Sequence, residues 1–148
     1  MTRISHVVCP HCGGVNRIPA GKPAGAAKCG ACRKPLFTGR PTPVSLAAFD
    51  KHVTRNDIPV VVDFWAAWCG PCRAMAPVFE RLAGELEPDV RFLNVDTDRE
   101  PKLATRYGVR SIPTLMLFRG GDLVAQSAGA MDAASLRTWL RQNLAPAA

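Results

Sequence analysis

The stretch Trp68-Cys69-Gly70-Pro71-Cys72 decides how the rest of this chain is interpreted, because it joins two different hydrophobic patterns. The β-branched run before it predicts a buried strand over residues 58–64. After it, apolar residues recur at helical spacing and predict a helix over residues 71–86. The two cysteines are therefore expected where a strand ends and a helix begins.

This placement favours a reactive pair of cysteines. Residues three apart on a helix have Cβ atoms roughly 5–6 Å apart, so a modest adjustment lets Cys69 and Cys72 form or break a disulfide. The helix N-terminus stabilises a thiolate, and we expect Cys69 to be the nucleophile. Cys72 lies one turn further in and suits a resolving thiol. Gly70 keeps the approach open, and Pro71 is tolerated in the first turn. A zinc half-site and two buried core thiols are the alternatives.

With two further motifs, this stretch resembles the thioredoxin family. The motifs are Arg110-Ser111-Ile112-Pro113-Thr114 and the later Gly129, and the resemblance covers residues 44–144. Together with the cysteine-rich segment that precedes it, the whole chain is similar to the zinc-binding second thioredoxins of bacteria. The resemblance implies a reductase of protein disulfides that needs no organic cofactor. Its partners would be disulfide-containing target proteins and a thioredoxin reductase that supplies electrons.

The resemblance also implies roles for residues outside the cysteine pair. Asp63 would lie behind the resolving cysteine and manage its proton; burial in an apolar strand should raise its pKa. Phe92 stands where many thioredoxins carry a lysine that faces this aspartate. The peptide bond before Pro113 would be cis, and an apolar docking surface for targets would include Trp68, Gly70, Pro71, Ile112, Pro113 and Gly129. Plain core packing is the alternative for Trp68 and is the expectation for Trp65.

Composition limits the location of the protein. The chain has 148 residues, 47% of them hydrophobic, which suits one ordinary domain with a small appendage. No signal peptide is recognisable, and no apolar run approaches membrane-spanning length. We therefore expect a cytoplasmic protein that does not engage a membrane. Thiols are kept reduced in that compartment, so its cysteines are expected to be catalytic or metal-binding.

The four remaining cysteines predict a metal site. They form the pairs Cys9-Pro10-His11-Cys12 and Cys29-Gly30-Ala31-Cys32, with sixteen residues between the inner two. That spacing falls in the range for a Cys₄ zinc site. So small a segment cannot bury enough apolar surface to fold unaided, and a metal would supply the missing stability. We predict one structural Zn²⁺ held by Cys9, Cys12, Cys29 and Cys32. His11 is interpreted as solvated; a second dithiol pair that cycles through disulfides is the alternative.

The positive charge of the chain lies in its first segment. Of the net charge of +7, residues 1–43 contribute seven bases and no acid, while the remainder carries twelve of each. A nucleic-acid surface is one interpretation. Because Phe37 is the only Phe, Tyr or Trp of this segment, a solvated basic face is favoured and nucleic acid is not expected as a partner. His6 and His52 are interpreted as surface residues.

These patterns divide the chain into a zinc-ribbon-like domain (residues 1–40), a proline-rich linker (41–43) and a thioredoxin domain (44–148). In the last, helix, strand, helix, strand, helix, strand, strand and helix follow one another. This order predicts an α/β thioredoxin fold, in which a mixed central sheet carries helices on both faces. We expect a monomer. Two other functions remain open: a zinc-dependent redox sensor or chaperone triggered by the dithiol, and a nucleic-acid-binding zinc module on a thioredoxin scaffold.

Overall fold

The computed structural model describes residues 4–144 and contains two sheets. The small antiparallel sheet consists of β1 (Ile4–Val8) and β2 (Val15–Pro19) and is followed by a 3₁₀ turn at Ala24–Ala26. The strands of the large sheet are β3 (Thr42–Pro43), β4 (Val60–Trp65), β5 (Arg91–Asp96), β6 (Thr114–Arg119) and β7 (Asp122–Ala128). The four α-helices are α1 (Leu46–Arg55), α2 (Gly70–Leu86), α3 (Pro101–Arg106) and α4 (Ala133–Leu144).

The large sheet is mixed, as predicted. Its strand order is β3-β5-β4-β6-β7. Strands β3, β5 and β4 run parallel, β6 is antiparallel to β4, and β7 pairs with β6 as a hairpin. The central strand β4 is nearly free of solvent contact, which is why its sequence is a continuous apolar run with one exception, Asp63.

Two apolar clusters cover the opposite faces of this sheet, and side-chain alternation along β4 assigns its residues to them. Val60, Val62 and Phe64 pack with residues of α1 and α3. Val61 packs on the other face with residues of α2 and α4. Asp63 shares the face of Val61, so its carboxyl group is directed under α2, the helix that carries the cysteine pair.

The N-terminal segment packs against the large sheet through a buried arginine that sequence inspection did not single out. Arg91, the first residue of β5, is 1% exposed. Its Nη2 donates to the carbonyl oxygens of Val8 (3.0 Å) and Leu36 (2.9 Å), and its guanidinium lies 4.5 Å from the ring centroid of Phe37. The buried carboxylate of Glu87 pairs with Arg91 Nη1 at 3.2 Å. One side chain thus joins the two parts of the molecule.

The prediction that His52 is a surface residue is wrong. His52 is 2% exposed on α1, and its Nδ1 lies 3.0 Å from Nδ2 of Asn56. The Asn56 Oδ1 in turn accepts a hydrogen bond from the N–H of Val8 at 2.8 Å. Burial, with Arg91 and Lys51 nearby, lowers the pKa of His52 to about 3. The N-terminal segment therefore covers a histidine that would otherwise be at the surface of α1.

Candidate active site and metal centre

The two cysteines of the central motif lie at the N-terminus of α2. Cys69 is the N-cap residue, and its Sγ accepts a hydrogen bond from the backbone N–H of Cys72 at 3.2 Å. A disulfide joins the two residues, whose Cα atoms are 5.2 Å apart. A tight turn after β4 directs the chain into the helix. The Cys69 N–H closes this turn by donating a hydrogen bond to the carbonyl oxygen of Ala66. The pair therefore occupies the positive end of a seventeen-residue helix.

The other predicted docking residues gather around this disulfide. Ile112 places its carbonyl oxygen 3.6 Å from Sγ of Cys69 and is followed by a cis bond to Pro113. Gly129, at φ +99°, donates its N–H to the Pro113 carbonyl at 2.8 Å. Trp68 is 71% exposed, and its Nε1 donates to Oδ2 of Asp98 at 3.0 Å. An exposed indole held in this way is not a core residue, so packing alone does not account for Trp68.

The two residues between the cysteines are exposed at the first turn of α2. Gly70 and Pro71 are both exposed, and a side chain at Gly70 would meet no atom within 4 Å. By contrast, Ala66, Cys69 and Cys72 form a small buried cluster against which Trp65 and Ile112 pack. Trp65 is half-buried there, which agrees with the packing role expected for it.

Asp63 is a buried carboxyl group without a charged neighbour. It is 3% exposed, and its Oδ1 has no hydrogen-bond partner among residues 4–144. Burial raises the pKa of Asp63 to about 7. On the adjacent strand β5, its register partner is Asn94, while Phe92 faces Val61 inside the apolar cluster. No cation on β5 therefore compensates the charge of Asp63.

The four N-terminal cysteines converge on one point. All four Sγ atoms lie within 4.8 Å of one another. The sulfur atoms of Cys9 and Cys32 are 3.6 Å apart, as are those of Cys12 and Cys29, so each of these contacts joins the two loops. Four thiolates at about 2.3 Å from a tetrahedral zinc ion lie roughly 3.8 Å apart, so the donor set suits such an ion. The cluster can hold a metal, as its sequence spacing predicted.

Backbone N–H groups are directed at these sulfur atoms. His11 and Ala31 each donate to the first cysteine of their own loop, at 3.4 Å in both cases. Asn16, which sequence spacing did not reveal, joins the loops: its Oδ1 accepts from the N–H of Gly30 at 2.8 Å, and its Nδ2 lies 3.5 Å from the Cys29 sulfur. Hydrogen bonds from the Cys32 backbone and from Asn16 lower the pKa of Cys29 to about 6. Such donors stabilise thiolates, the form that binds a metal.

A dithiol–disulfide pair at a helix N-terminus beside a cis-proline turn defines a thiol–disulfide oxidoreductase. A family model described as thioredoxin matches residues 41–142, and one described as the N-terminal region of thioredoxin 2 matches residues 8–34. The chain belongs to the thioredoxin family, whose members reduce disulfides of target proteins and are reduced by a thioredoxin reductase. The prediction of the family, of its fold and of a protein-disulfide reductase is confirmed.

Similar proteins agree with this assignment. Thioredoxin C-3 of Corynebacterium nephridii is 40% identical over 138 residues, which cover 93% of this chain and 94% of that protein. Thioredoxin 1 of a Nostoc species is 45% identical over 101 residues, covering 68% of this chain and 94% of that protein. A solved mutant thioredoxin from Halobacterium salinarum superposes with a TM-score of 0.67 at 34% identity, covering 76% of this chain and 97% of that one. No helix among the described residues is long and apolar enough to cross a membrane.

Proposed function

We propose that this chain reduces protein disulfides with Cys69 as nucleophile and Cys72 as resolving thiol. The observation that carries the proposal is the position of the two sulfurs: Cys69 caps α2 and receives an N–H hydrogen bond, while Cys72 lies inside the first turn. The Cys69 thiolate attacks one sulfur of a target disulfide, and the other target sulfur leaves as a thiolate. Cys72 then attacks the Cys69 sulfur and releases the second target thiolate. Two electrons pass to the target, and the Cys69–Cys72 disulfide remains.

Asp63 is proposed to accept the proton that Cys72 must lose before it attacks. Side-chain alternation along β4 puts its carboxyl group on the sheet face of Val61, which α2 covers. With a pKa raised to about 7 by burial, the group can both take up and release a proton near neutral pH. Because its Oδ1 is otherwise unpartnered among the described residues, the carboxyl is available for this exchange.

The docking surface is proposed to consist of the exposed Trp68, Gly70 and Pro71 together with Ile112, Pro113 and Gly129. Ile112 places its carbonyl oxygen beside the Cys69 sulfur, and Trp68, Gly70 and Pro71 flank the cysteines in the sequence and are exposed. An extended target segment would align with the backbone of Ile112, as strands do when they add to an exposed edge. Disulfide-containing proteins are the substrates, a thioredoxin reductase is the electron donor, and the site of action is the cytoplasm.

Serine substitutions test the assignment of the two cysteine roles. Cys69→Ser should abolish reduction of a protein disulfide, because no thiolate remains to begin the exchange. Cys72→Ser should instead accumulate a mixed disulfide with the target, since the first attack still occurs and its resolution does not. Non-reducing gels and intact mass spectrometry would detect the adduct. Trapping by Cys69→Ser but not by Cys72→Ser would reverse the two roles.

The metal that the four N-terminal cysteines hold is proposed to be one structural Zn²⁺. A tetrahedral, redox-inert ion suits four converging thiolates, and bound zinc would tie together loops that bury little apolar surface. Protein purified under reducing conditions should contain one zinc per chain by atomic emission, and oxidation should release it. The two apolar clusters that flank the large sheet include no residue before Val44, so this part should stay folded after release. Freshly reduced protein without zinc would contradict the assignment.

A further inference from the structure

A cleft in the N-terminal segment lies outside the cysteine pair and the metal centre. It has a volume of about 390 Å³ and runs between β2 and the segment around the 3₁₀ turn. Its lining includes three basic residues and several apolar ones; the residues used below are Arg17, Ile18, Lys22, Pro23, Lys28 and Leu36. We call it the basic cleft. The reduction chemistry uses none of these residues.

The three cations of the basic cleft are not neutralised within the molecule. Arg17, Lys22 and Lys28 are exposed, and none takes part in an ion pair or side-chain hydrogen bond among the described residues. In the rest of the chain, arginines such as Arg106 and Arg137 are paired with carboxylates. No acidic residue precedes Asp50 in the sequence, and even the −2 charge of a Cys₄ zinc site leaves this segment positive. The positive charge of the cleft is therefore not offset within the described residues, and it would attract a negatively charged ligand.

The backbone along the cleft is open to pairing as well. Within residues 4–144, β1 is the one strand that pairs with β2, in a register that sets Arg17 opposite His6. The N–H and C=O of His6 both bond Asp57, at 2.6 and 2.9 Å, and so point away from β2. In an antiparallel sheet, two directly opposite residues either bond to each other or both direct their N–H and C=O away from each other. Arg17, opposite His6, therefore directs its N–H and C=O away from β1. The N–H and C=O of Arg17 therefore lie at the outer edge of β2 without a backbone partner in the part of the chain that the structure describes, and an extended chain can add there.

We propose that the basic cleft binds an extended acidic segment of a partner protein alongside β2. Carboxylates of the segment would pair with Arg17, Lys22 and Lys28, and the aliphatic stems of these three side chains would cover the apolar lining of the cleft. A protein is favoured over a nucleic acid because no aromatic ring lines the cleft, so it offers no platform for base stacking. We take the partner protein to be one of the disulfide-containing substrates, and this step alone rests on the proposed function.

The binding test compares two variants with the same change in charge. The probe is a fluorescein-labelled, cysteine-free peptide of alternating Glu and Val, titrated with the full-length zinc-loaded protein at low and at physiological salt. Lys22→Glu/Lys28→Glu alters the cleft, and the matched control Lys34→Glu/Arg40→Glu reverses two exposed cations of the same segment outside it. The cleft variant should weaken probe binding by about tenfold relative to the control variant, and added salt should reduce that difference.

Three results would overturn the assignment: equal weakening in both variants, no binding of the probe to the unaltered protein, or tighter binding of an oligouridylate of the same charge. Zinc content of both variants is measured, so that loss of the metal centre is recognised. Turnover separates this inference from the proposed function. Two peptide disulfides are compared as substrates, one with acidic and one with neutral flanking residues. The unaltered protein and the control variant should have a lower KM for the acidic substrate, and the cleft variant should lose that difference. Reduction of neither substrate, with the probe still bound, would refute the proposed function and leave the cleft assignment standing.

Discussion

A buried carboxyl group makes the stability of this protein depend on pH. The pKa of Asp63 is about 7 in the folded chain because of burial, whereas an unfolded aspartate titrates near 3.9. Between these two values the folded state binds more protons than the unfolded state, so stability falls as pH rises through that window. Above pH 7 the whole penalty of the buried charge is present. Asp63 therefore destabilises the fold under the conditions in which the proposed reaction needs it.

Replacing Asp63 should make the folded state more stable and the resolving step of the proposed reaction slower. We expect Asp63→Asn to raise the free energy of unfolding by about 3–5 kcal/mol at pH 8 and to change it little at pH 4, because asparagine cannot ionise. The resolving step should slow, since the proton acceptor of Cys72 is lost. Urea unfolding and single-turnover rates across pH would measure both effects. A variant that is less stable at pH 8, or equally fast in resolution, would show that the carboxylate is stabilised by a partner or has only a structural role.

Single residues differ in how far their positions follow from the sequence. The six cysteines were recognisable because their spacing is set by chemistry that acts within a few residues. Asp63 stood out because a lone carboxyl interrupted an apolar strand. Asn16, Arg91 and His52 gave no such signal, because each owes its environment to a contact with residues far away in the chain. Tertiary packing alone decides whether a polar side chain of this kind is buried.

Secondary structure elements were predicted well where hydrophobic periodicity was strong. The helix expected over residues 71–86 begins at Gly70, one residue early. Two other helices are capped by side chains: Ser45 accepts from the Ala48 N–H, and Asp132 accepts from that of Ser135. β6 and β7 form a hairpin that turns at Gly120 and Gly121. Pro77 lies inside α2. Local chemistry determines all of these features.

Strand β3 was not predicted. Thr42–Pro43 lies in the stretch interpreted as a linker, and two prolines argue against a strand in the middle of a sheet. The structure places these residues at the sheet edge, next to β5, where a missing N–H is tolerated. The Val44 N–H donates to the carbonyl oxygen of Asn94 at 3.0 Å and extends the pairing. So short an edge strand depends on its neighbour, and no local pattern can reveal it.

At the scale of the whole molecule, the N-terminal segment and the large sheet share buried polar contacts. Besides Arg91, Glu87 contributes an Oε1 that accepts from the N–H of Gly39 at 2.9 Å. Burial raises the pKa of Glu87 and lowers that of Arg91, and each charge offsets the penalty of the other. Ions removed from water in this way are tolerated as a pair, although the Nε of Arg91 has no hydrogen-bond partner among the described residues. We infer that these contacts add to the stability of both parts, although each part has its own apolar core.

The contribution of the buried Glu87–Arg91 pair to stability can be measured against an exposed pair of the same i,i+4 spacing. Arg81 and Glu85 on α2 form that exposed pair. Arg91→Met should lower the free energy of unfolding by about 3–5 kcal/mol, since it strands Glu87 and leaves two carbonyls without their donor. Arg81→Met, at an exposed pair, should leave the free energy of unfolding almost unchanged. Adding Glu87→Gln to Arg91→Met should recover part of the loss, because the stranded charge is removed. Hydrogen exchange at the Val8 amide, bonded to Asn56, reports whether the N-terminal segment detaches first. If Arg91→Met cost no more than Arg81→Met and left this amide protected, the segment would be held by its apolar contacts and not by the buried pair.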